Sequence, residues 1–185
     1  ASNATLYCAV ALDGVEAACV YKPVRGERPL WDFPDGTLAG REVAAYLVSE
    51  ATGWGLVPPT VLRDGPFGPG MCQLWVEVDV TVDLGELVHS DREDLRRMAV
   101  LDAVINNADR KGGHLLPTPE GPVLGVDHGV CFAVEDKLRT VLWQWRGEPL
   151  PDGLGESCHV GQLKWPVASC LLPVACSGLA WSGRK

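Results

Sequence analysis

Residues 5–23 read TLYCAVALDGVEAACVYKP, in which the dipeptide Asp13-Gly14 separates two runs with strong β propensity. Aspartate followed by glycine readily adopts the positive φ angles of a tight two-residue turn. The stretch therefore predicts an antiparallel β-hairpin, with Lys22 near the end of its second strand.

Periodic patterns after the hairpin predict one helix and two more strands. Apolar residues recur at helical spacing over 38–52, and Gly53 is a typical helix stop. A strand is expected at 60–63, and alternating apolar residues predict another from Met71 to Val82. Together with the hairpin, these strands would form an antiparallel sheet of four strands.

The second half of the chain is predicted to begin with a helix from Asp91, an N-cap candidate, to Asn107. Its apolar positions are three or four residues apart: Leu95, Met98, Leu101 and Ile105. A polar loop at 107–114, two short strands around 117–122 and a second polar loop at 125–129 follow. Polar loops beside regular elements are frequent locations for catalytic and binding residues.

The composition fits one globular domain of 185 residues, because 46% of them are hydrophobic. The 24 acidic residues outnumber the 16 basic residues, which argues against nucleic-acid binding, since that affinity depends on neutralising phosphates. The seven cysteines contain no CxxC pair and are odd in number, which favours reduced thiols over a disulfide framework or a zinc ribbon. Because the N-terminus has no signal-peptide pattern, a cytoplasmic location is expected.

The C-terminal part of the chain has weaker signals. One more helix is expected at 134–146. Residues 165–183 carry no charge, but Pro166 and Pro173 interrupt them, so a membrane helix is not expected. We expect residues 151–185 to form a tail that is either packed on the domain or disordered.

The order of these elements brings together residue types that phosphoryl transfer requires. That reaction needs a cation on the nucleotide phosphates, acidic ligands for Mg²⁺ and a carboxylate that positions the attacking hydroxyl. Lys22 is the candidate cation, and Glu42, early in the first helix, could pair with it. Alternatively, Lys22 is a solvated lysine at a strand end, and Glu42 is a carboxylate that stabilises a helix N-terminus.

Two aspartates in the polar loops complete the candidate site. Asp109 follows the long helix and suits the role of catalytic base, and Asp127 lies 18 residues later, beyond a strand-turn-strand unit. Two carboxylates that converge on one cleft repel each other, which favours a divalent cation between them. The alternative is a pair of turn aspartates that cap local backbone groups.

Two segments carry a resemblance to a known group of proteins. Residues 17–48, AACVYKPVRGERPLWDFPDGTLAGREVAAYLV, and 101–132, LDAVINNADRKGGHLLPTPEGPVLGVDHGVCF, resemble the phosphatidylinositol 3-/4-kinase-like superfamily, especially its type II 4-kinase and HipA-like branch. A family of small actinobacterial proteins in that superfamily is the most similar. The resemblance implies an α+β, protein-kinase-like fold over residues 1–150. A small antiparallel N-lobe sheet would occupy about 1–80 and a reduced helical C-lobe about 81–150.

The resemblance also implies a role for each candidate residue. Lys22 would bind the α- and β-phosphates of ATP, Glu42 would hold Lys22, Asp109 would be the catalytic base and Asp127 would bind Mg²⁺. A phosphate-covering turn and a hinge beside adenine would supply the other nucleotide contacts: Ser2, Asn3, Thr5, Trp75, Val76 and Glu77. The acceptor would be a hydroxyl of a protein or small molecule, because an acidic protein has little attraction for anionic lipid.

His114 departs from the pattern of the superfamily, which usually has asparagine five residues after the catalytic aspartate as a second metal ligand. Imidazole is a poor ligand for Mg²⁺, which prefers oxygen. Either one metal ion suffices, Mn²⁺ is used, His114 contacts phosphate, or the protein binds nucleotide without catalysis. The sequence thus predicts an ATP- and Mg²⁺-dependent kinase. A nucleotide-binding pseudokinase is the alternative, and an acidic interaction domain is a third interpretation.

Overall fold

The computed structural model describes residues 3–119, 121–149 and 180–182. Over these ranges the fold is α+β, with a five-stranded sheet, a two-stranded sheet and three α-helices. The strands are β1 (Leu6–Leu12), β2 (Val15–Pro23), β3 (Thr60–Gly65), β4 (Gly68–Leu74), β5 (Leu115–Pro117), β6 (Val123–Gly125) and β7 (Ala180–Ser182). The helices are α1 (Leu38–Ala51), α2 (Leu84–His89) and α3 (Glu93–Val104), with 3₁₀ turns at Val24–Gly26 and Gly112–His114.

The large sheet has the strand order β3-β4-β2-β1-β7, and every neighbouring pair is antiparallel. The predicted hairpin is confirmed: β1 pairs with β2 along its whole length, and Asp13 and Gly14 have φ angles of 50° and 81°. β3 covers the strand expected at 60–63. A fifth strand, β7, pairs with the free edge of β1 and was not predicted.

The strand expected from Met71 to Val82 ends at Leu74, so the second half of that prediction is wrong. The Trp75 N–H still donates to a β2 carbonyl oxygen at 2.9 Å. By Asp79 the chain has crossed to β5, where the Asp79 N–H donates to a carbonyl oxygen at 2.8 Å. The alternating valines therefore belong to the connection between the sheet and the helical part, although their spacing is typical of a strand.

The first helix, α1, confirms the prediction for 38–52. Its N-terminus is capped by a side chain from the loop that follows β2. The Glu27 carboxylate accepts hydrogen bonds from the N–H groups of Leu38 at 3.1 Å and Ala39 at 2.8 Å. A carboxylate in this position satisfies free backbone donors and favours the helix dipole, so it ties α1 to the end of β2.

The helix predicted from Asp91 is present as α3, which begins at Glu93. The backbone of Asn106, with φ at 50°, lies just beyond its end. The short helix α2 was not predicted. Its N-cap residue Asp83 accepts a hydrogen bond from the Glu86 N–H at 2.9 Å, a favourable start for a helix of only six residues.

The helix expected at 134–146 is wrong. In this segment the Arg139 N–H donates to the Asn107 carbonyl oxygen at 2.8 Å, and the Arg110 N–H donates to the Arg139 carbonyl oxygen at 2.9 Å. These backbone groups are therefore bound to the loop after α3 and cannot also form helical hydrogen bonds. β5 and β6 confirm the two short strands expected around 117–122.

One hydrophobic core joins the sheet-side and helix-side halves of the chain. The buried face of α3 contacts α1, α2 and the segment before β3, and the shared core contains Leu95, Met98, Leu101, Ile105, Ala45, Leu56, Val57 and Leu87. A smaller cluster lies on one face of the sheet and contains Cys8, Cys19, Tyr21 and Cys72. Residues of α1 and α3 thus share one core, and the polar loops that carry the candidate site lie in the chain after α3 and after β6.

None of the helices in the described ranges is long and apolar enough to cross a membrane. Four cysteines of those ranges are buried free thiols, which agrees with the sequence prediction: Cys8, Cys19, Cys72 and Cys131. The other three, Cys158, Cys170 and Cys176, lie outside the described residues, and so does most of the tail expected at 151–185.

Candidate functional site

Lys22 lies on β2, and its ammonium group contacts two carboxylates. Its Nζ is 2.7 Å from Oε1 of Glu42 and 2.9 Å from Oδ1 of Asp127. Successive side chains of a strand point to opposite faces, so Lys22 points away from the cluster that contains its neighbour Tyr21. The ion pair between Lys22 and Glu42 that the sequence suggested is therefore present.

Glu42 is 2% exposed and links three elements of the fold. One oxygen accepts from Lys22 on β2, and the other, Oε2, accepts from the His128 N–H at 2.7 Å. Burial raises the pKa of Glu42, and the Lys22 charge opposes that rise. A buried carboxylate without such partners would be strongly destabilising, so the two hydrogen bonds are what keep it in this position.

Asp127 follows β6 and adopts a φ of 63°, which is unusual for a residue other than glycine. Its side chain is 53% exposed, and Oδ2 lies 3.4 Å from Nε2 of His114. Burial would raise the pKa of Asp127, but Lys22, His114 and Lys111 lower it overall. Asp127 is thus an ionised carboxylate whose side chain is half open to solvent.

We call Lys22, Glu42, His114 and Asp127 the Lys22 cluster. Burial alone would lower the pKa of Lys22, but the charges of Glu42 and Asp127 reverse the effect and raise it. Burial lowers the pKa of His114, although Asp127 opposes this, so at neutral pH the imidazole is uncharged. The cluster therefore contains one cation and two carboxylates. Its excess of negative charge favours binding of a further cation or of a hydrogen-bond donor.

Asp109 lies in the loop after α3, next to the Lys22 cluster. Within the described ranges no hydrogen bond joins it to that cluster, but its charge acts on His114. Its Oδ2 accepts from Nζ of Lys111 at 2.6 Å, and its Oδ1 is bound by Arg139. Burial would raise the pKa of Asp109, but these hydrogen bonds and charges lower it, so it is a weak base in this conformation.

The N-terminal residues lie on the turn that follows Lys22. The Oδ1 atom of Asn3 accepts from the Arg28 N–H at 2.9 Å, and the Ala4 N–H donates to the Gly26 carbonyl oxygen at 3.2 Å. Thr5, whose hydroxyl donates to the Asn3 carbonyl oxygen, is exposed. The phosphate-contacting role expected of Asn3 and Thr5 stays a prediction, and Ser2 lies outside the described residues.

The residues expected to form a hinge follow β4. Trp75 is half exposed, and its indole ring lies edge-on to the ring of Tyr7, with 5.0 Å between the centroids. Because the Trp75 N–H donates to Ala18, the backbone groups of Val76 and Glu77 are the ones left to meet a base. These residues start the crossing from the sheet to the helical part, and their role as a hinge beside adenine stays a prediction.

A buried network behind the Lys22 cluster was missed by the sequence analysis. Arg110 is 2% exposed and makes an ion pair with Asp102 of α3, with 2.8 Å between Nη2 and Oδ1. The same guanidinium donates to Nε2 of His128 at 2.6 Å. One signal was available: Asp102 lies three and four residues from apolar core positions of α3, and a carboxylate on an apolar helix face requires a buried partner.

The described residues fit a divalent cation only in a limited way. No group of three or more histidine, cysteine, aspartate or glutamate side chains in these ranges is arranged to hold a metal ion. Within the Lys22 cluster, Asp127 offers an ionised oxygen that is partly open to solvent, whereas Glu42 is buried and the neutral His114 is a weak ligand for Mg²⁺. Mg²⁺ commonly binds one or two carboxylates together with substrate phosphates and water, so Asp127 fits an ion that arrives with a nucleotide.

Comparison with known proteins assigns the chain to a family. No protein-family model matches the sequence. Protein Rv2133c of Mycobacterium tuberculosis is 51% identical over 187 aligned residues, which cover 82% of this chain and 67% of that protein. The chain belongs to the Rv2133c family. This membership agrees with the expected resemblance to small proteins of this kind, but the name of that relative states no activity.

Two plant proteins show a more distant similarity. Both are named phosphatidylinositol 4-kinase gamma 4: the Oryza sativa subsp. japonica protein is 29% identical over 149 residues, and the Arabidopsis thaliana protein is 30% identical over 160 residues. The matches cover 69% and 72% of this chain, which spans only about a quarter of either plant protein. This similarity hints at a kinase-related function for the chain.

Proposed function

We propose that the protein is an ATP- and Mg²⁺-dependent phosphotransferase with a protein-kinase-like fold of the phosphatidylinositol 3-/4-kinase-like superfamily. The observation that carries the proposal is the position of Lys22, whose ammonium group lies between Glu42 of α1 and Asp127 after β6. Three residues from distant parts of the sequence meet there, and each had been assigned a part in phosphoryl transfer. The distant similarity to plant kinases supports the same reaction class.

Lys22 suits the role of phosphate ligand because it is both charged and positioned. Its raised pKa keeps the ammonium group protonated at neutral pH, and Glu42 fixes it from the buried side. Its partner on the open side, Asp127, is half exposed, so incoming nucleotide phosphates could share the ammonium group with it. A cation held in advance at the position of developing negative charge stabilises a transition state without costly reorganisation.

Asp127 would hold Mg²⁺, which supplies charge neutralisation for the phosphates when it is bound. Asn3 and Thr5 would cover the phosphates, and the segment Trp75 to Glu77 would contact the base. Asp109 would orient the acceptor hydroxyl and later take its proton. Because Lys111 and Arg139 lower the pKa of Asp109, its main contribution would be orientation of the acceptor hydroxyl through a lone pair that these two cations leave unused.

A nucleotide-binding pseudokinase is the second candidate, and two observations favour it. His114 occupies the position of the expected second metal ligand, and its imidazole is neutral and mostly buried. Both carboxylate oxygens of Asp109 are already bound by basic side chains. Either candidate is proposed to act in the cytoplasm, with ATP as a ligand and, for the kinase, a hydroxyl of a protein or small molecule as the acceptor.

The test is calorimetric titration with MgATP of the wild-type protein and of Lys22→Ala. Lys137→Ala is a matched control, because Lys137 also forms a 2.9 Å ion pair with an aspartate and its side chain is also 21% exposed. We expect Lys22→Ala to weaken MgATP binding at least tenfold, about 1.4 kcal/mol, and Lys137→Ala to leave it unchanged. A wild-type protein that does not bind MgATP overturns both candidates.

The second measurement separates the kinase from the pseudokinase. Autophosphorylation and ATP hydrolysis are followed with the wild-type protein and with Asp109→Asn, which keeps the size of the side chain and removes its charge. A kinase loses both activities in the variant, by about 10²-fold or more, as is typical for loss of an acid–base group. Equal background rates in the two proteins, together with MgATP binding, support the pseudokinase.

A further inference from the structure

Arg110 contacts the chain on both sides of Asp127 without touching the Asp127 carboxylate. Its Nη1 donates to the Val126 carbonyl oxygen at 3.0 Å, and its Nη2 donates to Nε2 of His128 at 2.6 Å. The guanidinium group is planar and rigid, so two such contacts fix the spacing and direction of the three-residue segment 126–128.

Arg110 is itself held by Asp102 of α3. Its Nε lies 3.1 Å from both oxygens of that carboxylate, and its Nη2 lies 2.8 Å from Oδ1. Asp102 also accepts from the Asn107 side-chain amide at 2.8 Å and from the Thr140 hydroxyl at 2.9 Å. Both oxygens of the Asp102 carboxylate thus accept several hydrogen bonds, so the carboxylate is fixed in place. The guanidinium group of Arg110, which is bound to it, therefore has little freedom to move.

The segment held by Arg110 needs such support. The φ of Asp127, at 63°, is unfavourable for a residue with a Cβ atom, and it persists only where the surroundings determine it. The Val126 N–H donates to the His114 carbonyl oxygen at 3.0 Å, and the His128 N–H donates to Glu42 at 2.7 Å. With the two Arg110 contacts, Val126 is held through its backbone N–H and carbonyl oxygen, and His128 is held through its backbone N–H and its ring.

A fully buried ion pair is a poor device for stability alone, because removing two charges from water costs about as much as their attraction returns. Asp102 and Arg110 have fully buried side chains, and Asp102 lies among the buried residues of α3. Apolar residues of similar volume would stabilise such a position as well or better. Stability therefore does not explain the ion pair between Asp102 and Arg110, whereas a role in holding the backbone conformation at Asp127 does.

We propose that Arg110, anchored by Asp102, is a positioning residue that sets the conformation of Asp127 and, through the backbone of His128, its alignment with Glu42 and Lys22. The pair thereby connects α3 to the Lys22 cluster. The consequence for nucleotide binding rests on the function proposed above, whereas the geometric claim does not.

The test compares Arg110→Lys with the wild-type protein. Lysine keeps the charge opposite Asp102, but a single ammonium group cannot also reach both neighbours of Asp127. Arg92→Lys is the matched control, because Arg92 also binds an aspartate through Nε and Nη2 and donates to a backbone carbonyl oxygen, at Gly121, but none of these contacts is to Asp127 or to either of its sequence neighbours.

The first readout is amide hydrogen exchange and requires no nucleotide. In Arg110→Lys, the residue-128 amide, which is bound to Glu42, should exchange about tenfold faster relative to the Leu101 amide in the middle of α3. In Arg92→Lys the ratio of the two rates should equal that of the wild-type protein. An unchanged ratio in folded Arg110→Lys overturns the positioning role, whether or not the protein binds ATP.

The second readout is the affinity for ATP with and without Mg²⁺. Displacement of Asp127 should weaken binding of MgATP about tenfold and binding of ATP in EDTA much less, since Asp127 is the proposed metal ligand. A loss that is equal with and without Mg²⁺ is what general destabilisation would cause, and it contradicts the proposal. Failure of the wild-type protein to bind ATP refutes the proposed function and leaves the exchange experiment decisive.

A second pair of variants covers the case in which Arg110→Lys does not fold. His128→Gln keeps an acceptor for the guanidinium group, and His128→Phe removes it while filling a similar volume. We expect His128→Gln to keep the wild-type exchange ratio and His128→Phe to raise it about tenfold. Equal ratios in the two variants overturn the proposal.

Discussion

The buried imidazole of His128 predicts a marked loss of stability in mild acid. His128 is fully buried, and burial together with the nearby charges of Arg110 and Lys22 lowers its pKa well below its usual value. Protonation would place a second cation against the Arg110 guanidinium group, because the ring nitrogen that would gain the proton is 2.6 Å from Nη2. The ring therefore stays neutral in the folded protein.

The magnitude follows from the difference in proton binding. In the unfolded chain His128 titrates near pH 6.5, whereas in the folded protein it stays neutral well below that pH. Below pH 6.5 the unfolded chain therefore binds one proton more than the folded protein does. Each such proton changes the free energy of unfolding by about 1.4 kcal/mol per pH unit, so His128 removes about 2 kcal/mol between pH 7 and pH 5. The lowered pKa of His114 acts in the same direction. The raised pKa of Glu42 acts in the opposite direction, because the folded protein binds that proton more readily.

Urea unfolding at pH 7, 6 and 5, followed by tryptophan fluorescence, isolates the contribution of His128. The wild-type protein should lose about 2 kcal/mol more than His128→Gln over this interval, because glutamine cannot take up the proton and the contributions of other groups cancel in the comparison. His89→Gln, which removes an exposed imidazole from α2, should follow the wild-type curve. If the wild-type protein and His128→Gln have parallel curves, His128 is not a buried neutral histidine.

Three further changes test the geometry of the fold and the site. Gly70→Ala should lower the free energy of unfolding by about 1–3 kcal/mol, because its Cβ would lie 2.5 Å from a backbone oxygen of β2. The control Gly40→Ala has open space around the new Cβ and should raise the free energy of unfolding by about 0.4–1 kcal/mol. Equal effects of the two variants in urea unfolding would contradict the register of β2 and β4. In the same assay, Glu42→Ala should lower the free energy of unfolding by about 3–5 kcal/mol and Glu42→Gln by about 1–2 kcal/mol, because the amide keeps a hydrogen bond that alanine lacks. A decrease below about 1 kcal/mol for Glu42→Ala would contradict the buried ion pair. Arg139→Ala should raise the pKa of Asp109 toward its ordinary value, measured by carboxyl ¹³C titration, and an unchanged pKa would mean that the contact is absent in solution.

Secondary structure was predicted correctly where a local sequence pattern is compatible with only one conformation. The dipeptide Asp13-Gly14 fits one kind of tight turn, and the hairpin followed from it. The helical spacing over 38–52 was equally decisive, because the apolar face of α1 had a core to join. The hairpin and α1 together place Lys22 opposite Glu42, so half of the Lys22 cluster could be anticipated before any coordinates.

Tertiary contacts decided the segments that were predicted wrongly. Alternation beyond Leu74 resembles a strand, but only the Trp75 N–H still binds β2, and by Asp79 the chain is bound to β5 instead. The segment 134–146 has a composition suited to a helix, but the backbone of Arg139 is held by the loop after α3. Periodicity reports which side chains are apolar, and it cannot report which backbone groups another segment will bind.

Four candidate residues identified from the sequence lie together in the structure, but the side chains that surround Asp109 were not identified. Lys22, Glu42, His114 and Asp127 meet as a group, but no sequence pattern indicated that Lys111 and Arg139 would bind the Asp109 carboxylate. Arg139 is 30 residues away and reaches Asp109 only because the wrongly predicted segment is not a helix. Contacts of this kind depend on how a loop packs and leave no pattern in the sequence.

The buried thiols provide built-in reporters of local opening. Burial raises the pKa of Cys19 to about 12 and also raises the pKa of Cys131, so neither thiol reacts while it is enclosed. Cys19 and Cys72, whose sulfur atoms are 3.1 Å apart, lie in the sheet, whereas Cys131 lies in the core beneath α3. The rates at which an alkylating reagent modifies the two regions, resolved by peptide mass mapping, would reveal whether the sheet and the helical part open together or separately, and whether a bound nucleotide slows both.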